Sequence, residues 1–146
     1  MTDEVDLSLV RLGVEGSVLM TESEFRARDG LTQAMELAHV TAREAGWYQD
    51  PETGLEIHRN VGEVIALMHS ELSEALEAHR KDLMDDKLPH RPGIEVEFAD
   101  ALIRIFDTAV AMNLDLAGAF LEKNRFNKLR ADHKLEARRR NGGKKF

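Results

Sequence analysis

Apolar residues recur at helical spacing along most of this chain, and glycine and proline are sparse within the long periodic segments. The pattern predicts four helices, over residues 21–45, 60–81, 94–112 and 115–129 or slightly beyond. Residues that favour helix starts stand at three of these boundaries: Thr21 with Glu24 as a capping box, Asn60, and Asp115. The sequence therefore predicts an all-α fold, an antiparallel four-helix bundle with mostly short connections.

The two ends of the chain differ from this periodic centre. Residues 1–20 suit either a short strand pair or an irregular N-terminal arm, and residues 141–146, "NGGKKF", predict a flexible basic tail. Residues 21–140 predict a single helical domain, because a chain of 146 residues is long enough to bury one core.

Composition excludes several classes of protein. The absence of cysteine rules out disulfides and thiolate metal sites and suits a reducing cytoplasm. No apolar run is long enough to cross a membrane, and the acidic start does not resemble a signal peptide, so we expect a cytoplasmic protein with no membrane partner. A net charge of −7 argues against stable binding of nucleic acid. That charge is uneven, because ten Lys and Arg stand against two acids from Lys123 onward.

Two pairs of acids interrupt strongly apolar, helix-like sequence: "ELSE" at residues 71–74 and "EFAD" at residues 97–100. Glu71 and Glu74 lie at the edge of the apolar arc of the second helix. The third helix is apolar around most of its circumference, and its polar residues form one narrow seam: Glu97, Asp100, Arg104 and Asp107. If the pairs face each other, four carboxylates converge, and raised pKa values or a hard cation such as Mg²⁺ or Mn²⁺ must relieve their repulsion.

Other interpretations of these acids remain open at this point. Acids spaced by three on amphipathic helices commonly form a solvated face. A di-iron bundle would need two E-x-x-H motifs, and the chain has one, Glu36 to His39. Zinc sites favour histidine and cysteine, yet the six histidines form no H-x-x-x-H pair.

The segments "VGEVIALMHSELSEALEAHRKDLMDDKLPHR", "EVEFADALIRIFDTA", "EKNRFNKLRADHK" and "GGKKF" together resemble the MazG-like all-α nucleoside triphosphate pyrophosphohydrolases, most closely their short single-domain bacterial and phage forms. The resemblance begins near Thr32 and implies cleavage of a nucleoside triphosphate between its α and β phosphates. It also implies Mg²⁺ bound by Glu71, Glu74, Glu97 and Asp100. Ser70 departs from the family, since many members carry a further acid there, which argues against a fully occupied multi-metal site.

The same resemblance implies the remaining site residues. Glu74, with Glu71 beside it, is the candidate for the catalytic carboxylate that takes a proton from water. The groups implied to meet the phosphates are Lys123, Asn127 and Arg130, whose spacing puts them on one helical face, and Lys144 and Lys145 in a mobile flap. The groups implied to hold the base are His39, Trp47 and Asn60, although a helix cap is an equally good role for Asn60.

Two classes of function follow. The first is a Mg²⁺-dependent pyrophosphohydrolase of (d)NTPs, which yields the monophosphate and pyrophosphate and, by resemblance, cleans the nucleotide pool. The second is a non-catalytic helical interaction module whose basic tail binds a partner or nucleic acid. Broad apolar faces on so short a chain predict a homo-oligomer, either a homodimer or a homotetramer.

Overall fold

The computed structural model describes residues 9–10, 20–140 and 142–144, and these residues are mostly helical, as the apolar period predicts. The helices are α1 (Glu22–Glu44), α2 (Val61–Lys81), α3 (Gly93–Ala111), α4 (Leu116–Leu129) and α5 (Leu135–Arg139), with a 3₁₀ turn at Ala131–His133. Two short strands, β1 (Leu9–Val10) and β2 (Met20–Thr21), pair antiparallel ahead of α1. None of the helices in the described part of the chain combines the length and apolarity needed to cross a membrane.

Local capping sets three of the predicted helix starts. The capping box forms as expected, because the Thr21 amide donates to Glu24 at 2.9 Å and the Glu24 amide donates to the Thr21 hydroxyl at 3.2 Å. The Asn60 side-chain oxygen accepts from the backbone of Gly62 at 2.9 Å and begins α2. Asp115 accepts from the backbone of Gly118, also at 2.9 Å, and begins α4. The predicted boundaries are therefore confirmed within a residue or two at these starts.

The described residues form two compact units. Gln33–Leu114 is one, and it contains the end of α1 together with α2 and α3. The described residues before Gln33 and after Leu114 form the other. In this second unit the Arg125 guanidinium donates to both carboxylate oxygens of Glu24, at 2.8 Å each, and that bidentate pair lowers the pKa of Glu24 to about 2. The prediction of one domain over residues 21–140 stays a prediction.

Helices α2 and α3 form an antiparallel hairpin, which positions the candidate site. Glu71 in the middle of α2 meets Arg104 in α3, whereas Ala78 near the end of α2 lies beside Gly93 at the start of α3. Buried residues with mostly small side chains line the contact: Val64, Ala75 and Ala78 on α2, and Ala101 and Ala109 on α3. A Cβ on Gly93 would lie 3.0 Å from that of Ala78, so glycine permits the close approach of the two helices.

The connection between α2 and α3 is tightly hydrogen-bonded. The Leu83 amide donates to the Ala78 carbonyl at 3.0 Å, and the Gly93 amide donates to the Leu83 carbonyl at 2.9 Å. Asp85 is buried, and its carboxylate accepts from the backbone amides of Lys87 and Leu88.

Candidate metal centre and adjoining cleft

Three of the four predicted metal ligands meet at the α2–α3 contact. One carboxylate oxygen from each of Glu71, Glu97 and Asp100 lies within 4.8 Å of the others. Glu71 is only 6% exposed because α2 turns it toward α3, and Glu97 and Asp100 share a face of α3 because they are three residues apart. The convergence predicted from the two acidic motifs therefore holds for three acids.

Burial and the closeness of these carboxylates raise the pKa values of two of them. Burial, and then the negative charges of Glu74, Glu71 and Asp100, raise the pKa of Glu97 to about 7. Burial and the charge of Glu71 also raise the pKa of Asp100, against the opposing effect of Arg104. The raised pKa values mean that a cation bound here would compete with protons more than it would at ordinary carboxylates.

Glu74 differs from the prediction, since it lies beside the triad and not in it. It is exposed, although it is close enough for its charge to raise the pKa of Glu97. The physical reason is the packing of the two helices: Glu71 and Glu74 are neighbours on α2, about 60° apart around its axis, and α3 covers the side that carries Glu71 but not the side that carries Glu74. A solvated carboxylate next to the triad remains suited to accept a proton.

The three acids could hold a metal ion. All the donors are carboxylate oxygens, the ligands of hard divalent cations. An octahedral Mg²⁺ with bonds of about 2.1 Å places neighbouring ligand oxygens about 3 Å apart and opposite ones about 4.2 Å apart. The three donor oxygens lie within 4.8 Å of one another, so they are close enough together to belong to one cation site.

Arg104 contacts this centre directly. Its Nε donates to Oε1 of Glu71 at 2.6 Å, and it lies one helical turn after Asp100 on α3. The pattern of the third helix places Arg104 in the polar seam, but it does not predict this contact with a candidate metal ligand.

A second polar cluster surrounds Asp107, the last member of that seam. Asp107 is 3% exposed and accepts hydrogen bonds from the Tyr48 hydroxyl at 2.7 Å and from Nη1 of Arg59 at 3.5 Å. His39 Nδ1 lies 2.8 Å from the same carboxylate. Burial, and then the hydrogen bond to Asp107, raise the pKa of Tyr48 to about 12, so its hydroxyl remains a donor.

A cleft of about 240 Å³ joins the two clusters. Asp100 and Arg104 from the metal centre line it, together with Asp107, Arg59 and Trp47. Trp47 is 62% exposed, and the Arg59 guanidinium lies 5.7 Å from the centre of its indole ring. One concave surface therefore presents a carboxylate of the candidate metal site, two guanidinium groups and a large exposed ring.

The three residues predicted to hold the base are divided among neighbouring clefts. Trp47 lines the cleft just described, whereas His39 lines a second one of about 360 Å³. Asn60 lines a third of about 580 Å³, which Trp47 shares. Arg59 lines all three. The Asn60 side chain acts as the cap of α2, the role that its position predicts independently of any ligand.

The predicted phosphate-binding residues belong to the other unit. Lys123 lies on α4 with its Nζ 4.9 Å from the Phe126 ring centre. Asn127 is half-buried, and its Oδ1 is a buried oxygen without a hydrogen-bond partner among the described residues. The prediction that Arg130 shares a helical face with Lys123 and Asn127 is wrong. Helix α4 ends at Leu129, and Arg130 has an extended backbone. Its guanidinium pairs with Asp132 at 2.6 Å.

The predicted flap is described only in part. The Lys144 carbonyl accepts from Nε of Arg138 at 3.4 Å, and Lys145 lies outside the described residues. Contact of any of these basic residues with a phosphate stays a prediction.

The residues that the sequence pattern did not predict share one property: each acts on a partner that is distant in the sequence. Arg59 and Tyr48 act through partners that are far away in sequence, and Asp85 affects the pKa of Asp100 from the α2–α3 connection. Arg59, directly before the Asn60 cap, offered the available signal, because a basic residue at a helix start near a candidate site can donate to an anion.

Comparison with models of known protein families, with curated proteins and with solved structures found no match for this chain.

Proposed function

We propose that this protein is a Mg²⁺-dependent nucleoside triphosphate pyrophosphohydrolase that cleaves (d)NTPs between the α and β phosphates. The observation that carries the proposal is the convergence of Glu71, Glu97 and Asp100 at the end of a cleft that also presents Arg59 and Trp47. The resemblance of the acidic motifs and basic C-terminal segment to MazG-like enzymes supports the same activity.

Each part of the cleft suits one part of a nucleotide. The three acids hold Mg²⁺, which when bound offsets phosphate charge and lowers the pKa of a coordinated water. Glu74, solvated beside the triad, accepts the proton of the attacking water. Arg59 supplies positive charge within the cleft, and the exposed Trp47 ring offers a flat surface for a base.

The basic residues of the second unit complete the proposal. Lys123, Asn127 and Arg130, with Lys144 and Lys145, bind the outer phosphates, where negative charge grows as pyrophosphate departs.

A cytoplasmic location is part of the same proposal, and so is assembly into a homodimer or homotetramer. Large apolar side chains on α2 and α3 are about half exposed, which supports this: Ile65, Leu72, Leu76, Phe98 and Leu102. We expect light scattering at micromolar concentration to give at least twice the mass of the 16.5 kDa chain. A purely monomeric solution would contradict the assembly but not the chemistry.

The activity is tested by incubation with a panel of NTPs and dNTPs in Mg²⁺. We expect nucleoside monophosphate and pyrophosphate in equal amounts, with the Glu71→Gln variant, purified identically, as the control for contaminating enzymes. A nucleoside diphosphate as the main product would place the attack at the γ phosphorus and contradict the proposal. No turnover of any nucleotide would favour the non-catalytic helical interaction module instead.

A further inference from the structure

Arg104 stands between the metal centre and the cleft. Its side chain comes from α3, one turn after Asp100, and its Nε donates to Glu71 of α2 at 2.6 Å. This hydrogen bond uses one of the five N–H donors of the guanidinium group. Arg104 also lines the cleft with Asp100 and Arg59, and its side chain remains about one-third exposed.

The positive charge of Arg104 can interact with two partners, the acidic triad and a phosphate group in the cleft. Beside Glu71, the guanidinium offsets part of the negative charge of the triad and so lowers the attraction of the triad for a cation. Toward the cleft, a guanidinium offers paired donors that match phosphate oxygens. Because Asp100 belongs both to the triad and to the cleft wall, a phosphate bound to the same metal ion would lie within reach of this side chain.

We propose that Arg104 is shared between the metal centre and the substrate: it offsets the charge of Glu71 and donates to a phosphate oxygen of the nucleotide. The assignment to phosphate rests on the proposed function, whereas the contact with Glu71 does not. The role has a signature that structural damage lacks. Loss of the charge should strengthen binding of a metal ion alone and weaken binding of a polyphosphate.

The experiment compares Arg104→Met and Arg104→Lys with the wild-type protein by calorimetry. Arg91→Met is the matched control, because Arg91 belongs to the same unit and pairs with a carboxylate, Glu95, on the exposed side of the hairpin. The probes are Mn²⁺ alone and inorganic tripolyphosphate in excess Mg²⁺, which removes any contribution of the base.

For Arg104→Met we expect Mn²⁺ to bind about fivefold or more tightly, and tripolyphosphate to bind at least about tenfold more weakly. Arg104→Lys keeps the positive charge but loses the paired donors of the guanidinium group. Its Mn²⁺ affinity should therefore stay near wild type while its tripolyphosphate affinity falls. Arg91→Met should change neither. If Arg104→Met proves unstable in thermal unfolding, the lysine variant alone decides, since a tripolyphosphate affinity equal to wild type contradicts the proposal.

Three results would overturn the shared role: weaker binding of both probes by a folded Arg104→Met protein, an unchanged Mn²⁺ affinity, or an unchanged tripolyphosphate affinity. The first would mean that Arg104 only orients Glu71. If the wild type and the variants bind both probes as expected, yet the wild type releases no pyrophosphate from any nucleotide, the proposed function is rejected. Arg104 then remains assigned to Glu71 and to a polyphosphate, but not to a nucleotide.

Discussion

His39 Nδ1 and the Asp107 carboxylate lie 2.8 Å apart, although 68 positions separate the two residues in the sequence. The contact joins the end of α1 to α3 within the unit Gln33–Leu114. Tyr48 and Arg59 reach the same buried carboxylate from the segment between α1 and α2. Asp107 therefore connects three parts of the chain that bear on the candidate site.

Replacement of Asp107 by Asn should destabilise the protein by about 2–4 kcal/mol, because a neutral amide cannot satisfy the buried donors that the carboxylate accepts. Tyr48→Phe removes one hydrogen bond and should cost about 1 kcal/mol. Urea unfolding measures both, with the exposed Glu95→Gln as the control. A loss below about 0.5 kcal/mol for Asp107→Asn would show that the cluster contributes little to the fold.

Glu97 should make stability depend on pH. Its pKa is about 7 in the folded protein against an ordinary value of 4.5, so folding favours the protonated acid. This contribution is complete below about pH 4.5 and is lost as pH rises through 7. In EDTA at pH 8, Glu97→Gln should therefore be more stable than wild type, by about 1–2 kcal/mol once partial solvent screening is counted.

The advantage of Glu97→Gln should disappear at pH 4, where the wild-type acid is also neutral. Thermal unfolding across this pH range is the measurement, and Glu95→Gln on the exposed side of α3 is again the control. A constant difference between Glu97→Gln and wild type at all pH values would contradict the raised pKa.

Glu74 and Glu71 should separate proton transfer from metal binding. Glu74→Gln should lower kcat by about 100-fold or more, the usual effect of losing a general base, and leave Mn²⁺ affinity within about threefold. Glu71→Gln, like Glu97→Gln and Asp100→Asn, should abolish most turnover and weaken Mn²⁺ binding as well. Loss of metal binding in Glu74→Gln equal to that in Glu71→Gln would place Glu74 among the ligands.

The basic residues of the second unit are tested by Lys123→Ala and Arg130→Ala. If these residues bind the departing pyrophosphate, each substitution should lower kcat as well as raise KM. The loss of transition-state stabilisation should be about 2–4 kcal/mol, or about 30- to 1000-fold in kcat/KM. Truncation after Asn141 should cost much less, mostly in KM. Lys128→Ala, an exposed change on the same helix, is the control. If kcat/KM stays within twofold of wild type in both substitutions and in the truncated protein, the basic residues do not bind the phosphates. The metal ion and the cleft alone would then bind them.

The sequence by itself determined the helices and their starts. The Thr21–Glu24 box and the caps at Asn60 and Asp115 form as predicted, because a side chain within three positions satisfies the free amides at each start. The sequence also determined that Glu97 and Asp100 share a face, since helical spacing fixes neighbours on one helix irrespective of the rest of the chain.

Only the tertiary structure decided which side chains meet across helices. The rotation of α2 against α3, set by contacts such as Gly93 on Ala78, buries Glu71 and leaves Glu74 in solvent. The same packing brings Arg104 to Glu71, and the Asp107 cluster draws on residues 48 to 68 positions away. Periodicity specifies the faces of a helix but not which face a distant segment will cover, because that choice depends on how all the side chains fit together.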